Sequence, residues 1–254
     1  MAKEIELFDS HLHIIDPRFP LVPNNGYLPE AFTHEDYLKR LSNYKLAGGA
    51  IVSGSFQAFD QSYLLSALQV LGPTFVGVTQ LPYHTSDHEI IELHSAGVRA
   101  LRFNLYRGGS ESLEYMASMA NRVHELVGWH IELYLDSTEL EQLSATLVQL
   151  PAISIDHLGM QKAGLPHVLK LAEKGAKIKA TGFGRVDFDA SQAIVSLYKA
   201  NPDALMFGTD LPSTRAPMPF QDGDIDMVLD ILGDEAAAKV LKKNAIEFYK
   251  PSIS

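Results

Sequence analysis

The chain has 254 residues, 46% of them hydrophobic, a formal net charge of −10 and no cysteine. That length suits one large domain with a sizeable core, and the composition excludes wholesale disorder. With no basic stripe to offset phosphate charge, nucleic acid and anionic membrane are poor partners; an anionic substrate requires arginines gathered locally. The missing cysteines remove disulfides, thiolate nucleophiles and Cys-based zinc sites, and they suit a reducing compartment. The opening Met-Ala-Lys-Glu-Ile-Glu lacks the apolar core of a leader, and no apolar run approaches the ~18 residues of a membrane span. The expectation is a cytoplasmic protein, with room for a homo-oligomer.

Short apolar runs alternate with amphipathic ones along the whole chain. Strands are expected at Ile5–Asp9, Ala50–Ser53, Thr74–Thr79, Val98–Asn104, His130–Leu135, Ala152–Asp156, Lys177–Thr181 and Ala204–Gly208. Helices fall between them, near 34–46, 60–71, 87–96, 111–127, 138–149, 166–174, 190–200 and 222–232, with an extra one at 235–249. Thr33 with Asp36, Ser86 with Glu89 and Thr138 with Glu141 have capping-box spacing. Gly48, Gly97, Gly128 and Gly175 stand where helices should end. The strands are nearly continuous in apolar or small residues, as parallel strands covered on both faces are.

Eight strict β/α units imply a parallel sheet, and the count favours closure over an open sheet. An open sheet would usually place a glycine-rich loop after its first strand, where this chain has His11-Leu12-His13. The fold class is therefore α/β, a slightly distorted (β/α)₈ TIM barrel with an extra C-terminal helix. The longest irregular connection, 14–33, contains four prolines and Asn-Asn-Gly. It leaves the C-terminal end of the first strand, the face where barrel enzymes carry chemistry.

That rule sorts the ten histidines. His34, His88, His94, His124 and His167 fall in helices, His130 starts a strand and belongs at the bottom, and His84 is weakly placed. His11, His13 and His157 remain, at the ends of the first and sixth strands. His11 and His13 share a side of the strand by its period of two. Asp210 ends the eighth strand, which neighbours the first in a closed barrel. One such histidine would read as a satisfied core residue; three beside a carboxylate read as a site.

Arg102 ends the fourth strand among apolar neighbours, where burial demands an anionic partner. A substrate carboxylate would suit its bidentate fork. Tyr134, Arg185, Arg107 and Arg215 stand at nearby strand ends or loop starts. Lys179 is open to a site role or to pairing with Asp136, Asp156 or Asp210. Tyr27 either closes over substrate or pins its own loop. Asp156, next to His157, should alternate to the opposite face.

His11-Leu12-His13, Asp156-His157-Leu158-Gly159 and Gly208-Thr209-Asp210-Leu211-Pro212, in this order, resemble the amidohydrolase superfamily. They look most like its amidohydrolase-2 branch, which includes 2-pyrone-4,6-dicarboxylate lactonase and sugar lactonases. The resemblance runs from Phe8 to about Tyr249 and implies a single amidohydrolase-like TIM-barrel domain over 1–254. Metal-dependent members carry a bridging lysine or glutamate at the fourth strand and a histidine at the fifth. Here those ends offer Arg102 and Asn104, then Tyr134 and Asp136, which argues against a binuclear centre. In the dicarboxylate lactonases similar residues work without metal. Those lactonases carry a further arginine after the sixth-strand histidine, where this chain has Met160-Gln161-Lys162.

The resemblance implies a hydrolase that opens a lactone of a small carboxylated compound. Asp210 would be general base, His11, His13 and His157 would polarise the carbonyl, and Arg102, Tyr134, Arg185, Arg107 and Tyr27 would bind substrate. No cofactor is expected. The alternatives are a mononuclear zinc amidohydrolase or nonoxidative decarboxylase, with one Zn²⁺ on His11, His13, His157 and Asp210, and a non-catalytic carboxylate-binding barrel.

Overall fold

The structure is a computed structural model and describes residues 5–252. The first four residues of the opening segment, on which the absence of a leader was read, lie outside it. Eight strands pair in parallel in sequence order: β1 Glu6–Leu12, β2 Lys45–Val52, β3 Phe75–Thr79, β4 Val98–Asn104, β5 His130–Tyr134, β6 Ile153–Ile155, β7 Lys177–Ala180 and β8 Leu205–Phe207. The crossover helices are α1 His34–Arg40, α2 Ser62–Leu71, α3 Asp87–Ser95, α4 Met116–Val127, α5 Leu140–Leu147, α6 Leu165–Glu173, α7 Ala190–Ala200 and α8 Gly223–Leu232. The extra C-terminal segment is α9 Asp234–Ala238, a π-helical turn Lys239–Lys243 and α10 Asn244–Tyr249. Among the described residues no helix is long and apolar enough to cross a membrane.

The main core lies between strands and helices. A smaller cluster of Phe8, Ala50, Val52, Val76, Val78, Ala100 and Met206 is completed by Ala245 and Tyr249 of α10. The extra helix thus plugs the bottom of the barrel. The Tyr249 hydroxyl donates to the buried Glu132 carboxylate.

Three local expectations need correction. The first helix stops at Arg40; of the segment assigned to its end, 41–44 is a turn and Lys45 begins β2. Gly48 is not a helix stop but a strand residue at φ +143°, where a Cβ would lie 2.1 Å from the Thr74 carbonyl oxygen. Thr138 and Glu141 form no capping box; Asp136 caps a short 3₁₀ turn, accepting from the Thr138 amide. The other two boxes are present, at Thr33/Asp36 and Ser86/Glu89.

The barrel closes between β1 and β8 through a seam just beyond β8. The Asp210 amide donates to the His11 carbonyl and the His13 amide to the Leu211 carbonyl, both at 2.8 Å. Beneath them Asp9 accepts from the Thr209 amide at 2.8 Å and the Thr209 hydroxyl at 2.6 Å. The Tyr37 hydroxyl and the His11 amide complete the set of donors. Burial still pushes the Asp9 carboxyl up to about 6.

The strands approach this closely because residue 208 has no side chain. A Cβ on Gly208 would sit 2.7 Å from the His11 nitrogen and 2.8 Å from its Cβ. Gly208→Ala should therefore destabilise the protein by about 1–3 kcal/mol, the usual range for overpacking. Gly223→Ala meets nothing within 4 Å and should change stability by less than about 0.5 kcal/mol. Urea midpoints of the two variants check the contrast.

Candidate active site

The seam delivers the first three side chains. His11 lies in β1 and His13 just after it, and their ring centroids are 5.1 Å apart. Asp210, held in the left-handed region at φ +62°, turns its carboxylate toward both. Its Oδ1 is 3.8 Å from His11 Nε2 and 3.9 Å from His13 Nε2.

His157 joins from β6 by an unexpected route. Asp156 continues the strand, and His157 then takes φ +52°, swinging its ring back over the mouth to 5.0 Å from His11. The expectation that Asp156 faces away is therefore wrong. Asp156 follows the pleat inward below the histidines, completely buried. The strand rule failed one residue further on, where the strand had already ended.

Asp156 is the anionic partner that Arg102 required. The Arg102 guanidinium donates to Asp156 Oδ2 at 2.7 Å and to the Ser53 carbonyl at 2.6 Å. Arg102 lines the cavity, but most of its fork is committed to protein, which corrects its assignment as the principal substrate clamp. Lys179 lies deeper, donating to Glu132 Oε2 at 2.5 Å, with Asp156 Oδ1 at 3.6 Å. Against the upward push of burial, His11, Lys179 and Arg102 hold the Asp156 carboxyl well below its ordinary range. Glu132 was missed, although a carboxylate in mid-strand among apolar residues (Ile131-Glu132-Leu133) is itself a signal.

Arg185 bonds Asp210 Oδ2 through Nε at 2.7 Å and the Thr214 carbonyl through Nη2 at 2.8 Å. It fixes one carboxylate oxygen and leaves Oδ1 buried with no hydrogen-bond partner. His11 Nε2 and His157 Nδ1 are likewise buried and unpartnered. The His13 ring is set by Nδ1, 2.7 Å from the Val52 carbonyl. A carbonyl can only accept, so Nδ1 carries the proton and Nε2 keeps its lone pair.

Above this floor is a narrow cavity of about 30 Å³, lined by His13, His157, Asp210, Tyr134 and the segment Gly54–Phe56. Arg102, Arg107, Arg185 and Arg215 also line it, against Asp210 as the one lining carboxylate. His11 is not on the wall; it lies one layer down. Tyr27 is not on the wall either. Asn24 and Tyr27 bond each other's backbones across a two-residue turn, with Asn25 and Gly26 at positive φ, as hairpin turns favour. The Arg215 guanidinium caps the Tyr27 ring at 4.2 Å and bonds the Asn24 backbone and side chain. Tyr27 pins its own loop.

Gly54–Phe56 was also missed; a Gly-Ser pair directly after a strand was the available cue. Tyr134 packs edge-on against His157 at 5.0 Å. His130 lies at the bottom beside Glu132, as expected, and His84 is exposed away from the site.

Within this frame the family can be stated. The amidohydrolase family model matches residues 8–250, and the chain belongs to that family. A 2-pyrone-4,6-dicarboxylate hydrolase of Comamonas testosteroni is 29% identical over 157 residues, 59% of this chain and 51% of that one. The chain thus matches about half the length of this curated relative. A probable 2-pyrone-4,6-dicarboxylic acid hydrolase from Acinetobacter baumannii, solved with citric acid bound, superposes with a TM-score of 0.83 at 22% identity, over 96% of this chain and 99% of that one. A protein from Agrobacterium tumefaciens reaches 0.87 at 21% identity, over 100% and 98%. A putative 2-pyrone-4,6-dicarboxylic acid hydrolase from Pseudomonas putida reaches 0.81 at 24%, over 99% and 100%. At these identities the structures share the fold.

His11, His157 and Asp210 each offer a ligand atom within 4.8 Å of the others, and each has an orphaned buried donor or acceptor. Their positions fit one divalent ion, with His13 beside them. Such an ion would supply Lewis-acid polarisation of a carbonyl.

Burial lowers the pKa of His11, and lowers those of His13 and His157 well below the ordinary 6.5, with neighbouring guanidinium charge adding to the effect. As pH falls below about 6.5 the unfolded chain binds protons that the folded one refuses. Stability is therefore present above that pH and lost on acidification. Unfolding free energy should drop between pH 6.5 and 5.5, and His157→Gln should reduce that slope by up to about 1.4 kcal/mol per pH unit. An unchanged slope in the variant would mean that His157 is already protonated in the fold.

Proposed function

We propose that the protein is a hydrolase that opens a lactone of a small carboxylated compound, in the manner of 2-pyrone-4,6-dicarboxylate lactonase. One observation carries the reading: an acidic protein gathers four arginines around a cavity whose floor is an unpaired carboxylate oxygen beside neutral imidazoles. The arginines select an anion, and the floor suits attack by water on a carbonyl. The curated relative and two of the structural neighbours bear names of the same class.

Asp210 Oδ1 takes the proton of the attacking water while Arg185 steadies Oδ2. As the new C–O bond forms, the carbonyl oxygen becomes an oxyanion, and the His157 ring on the cavity wall donates an N–H to it. Collapse breaks the ring C–O bond, and the departing oxygen takes the proton from Asp210. Arg107, which has no carboxylate partner among the described residues, holds the substrate carboxylate; Arg215, committed to Asn24 and the Tyr27 ring, adds positive charge beside it.

Asp210→Asn should lower kcat by about 10²–10⁴-fold on any lactone the wild type opens, the usual contribution of a general base. Near wild-type turnover in this variant would end the proposal. Arg107→Met should raise KM for carboxylated lactones about tenfold, equivalent to about 1.4 kcal/mol of binding, with kcat little changed and neutral lactones unaffected. Elemental analysis and chelation of the untagged enzyme, run beside both assays, test the expectation of metal-independent turnover. Stoichiometric zinc with activity lost on chelation would favour the mononuclear reading.

A further inference from the structure

Beneath the reacting space, and outside the mechanism above, lies a fully buried ammonium. Lys179 Nζ is 3.3 Å from His11 Nδ1, 2.5 Å from Glu132 Oε2 and 3.6 Å from Asp156 Oδ1. Glu132, Asp156 and His11 by themselves form a cluster with metal-ligand spacing, and the lysine occupies its centre. We propose that Lys179 is a positioning residue that holds His11 with its proton on Nε2. The ring then donates toward Asp210 Oδ1, 3.8 Å away.

An ammonium has hydrogens to give and no lone pair. With a proton on Nδ1, the ring would point N–H at N–H across 3.3 Å. The opposite tautomer resolves the conflict, and it gives Asp210 Oδ1, which already faces the His13 Nε2 lone pair at 3.9 Å, a donor in His11 Nε2–H at 3.8 Å. Nδ1 accepts from Lys179, and the two buried orphans become a donor and an acceptor. Asp156 Oδ1, itself buried without a hydrogen-bond partner and 3.4 Å from Nδ1, competes for a proton there. Its charge is already balanced by Arg102 at 2.7 Å and by Lys179 itself.

His11 and His13 therefore have opposite tautomers two residues apart. One donates through Nε2, and the other, fixed by the Val52 carbonyl, keeps a lone pair there. The inference rests on the lactonase reading for its purpose but not for its test. Nitrogen-15 NMR of the free, histidine-labelled enzyme reports tautomers without any substrate, and His11→Gln identifies the resonance. The wild type should show His11 as neutral Nε2–H. Lys179→Met should convert it to Nδ1–H, bonded to Asp156, and raise Co²⁺ affinity at least tenfold. Lys179→Gln, which keeps a neutral donor, should restore the wild-type tautomer.

If Lys179→Met fails to fold, the charge-balanced pair Lys179→Met with Glu132→Gln provides the same comparison. A purely structural lysine would lower stability in these variants without switching the tautomer. Nδ1–H in the wild type, or Nε2–H retained once Lys179 is gone, overturns the proposal.

Discussion

The site depends on how β1 and β8 are joined. These strands are held by two backbone hydrogen bonds beyond β8 and by the Asp9 carboxylate gripping Thr209. The bonds run through His11, His13 and Asp210 themselves. The contacts that close the barrel and those that place the Asp210 carboxylate among imidazoles are thus the same contacts. Gly208 allows the approach, and Asp210 accepts a left-handed backbone that aspartate tolerates better than most residues.

Below the seam, charge is layered. Glu132, Lys179, Asp156 and Arg102 form a buried chain of alternating sign from the plugged bottom of the barrel to the floor of the cavity. Such a chain is costly to assemble and costlier to break, since removing one member strands its neighbour in a low dielectric. It lies directly beneath His11 and holds the Arg102 guanidinium through Asp156. Of the residues lining the cavity above it, Asp210 alone is negative, and four arginines outnumber it. The polarity of the barrel axis, balanced below and positive above, matches an anionic ligand entering from the C-terminal face.

Most of the fold was legible from periodicity, because strand and helix spacing are local properties. The errors arose where local signals mislead. Gly48 resembles a helix stop until its packing against Thr74 is seen, and Thr138–Glu141 resembles a capping box until Asp136 takes the role. The site histidines and Asp210 were legible because strand ends in a barrel share one face. Tyr27, Arg102 and Arg185 were less so, because a side chain's partner is decided across the barrel. Tyr27 meets Arg215, Arg102 meets Asp156, and Arg185 meets Asp210.

The amino-acid order by itself determined eight β/α units, their parallel arrangement, and the placement of His11, His13, His157 and Asp210 at one end of the strands. These follow from periods of two and 3.6 and from the positions of polar residues at the ends of apolar runs. Tertiary structure alone decided which charges pair, which imidazole nitrogens have partners, and that Asp156 faces inward with His157 folded back above it. Those outcomes depend on contacts between residues as far apart as Asp9 and Thr209, which no local pattern encodes.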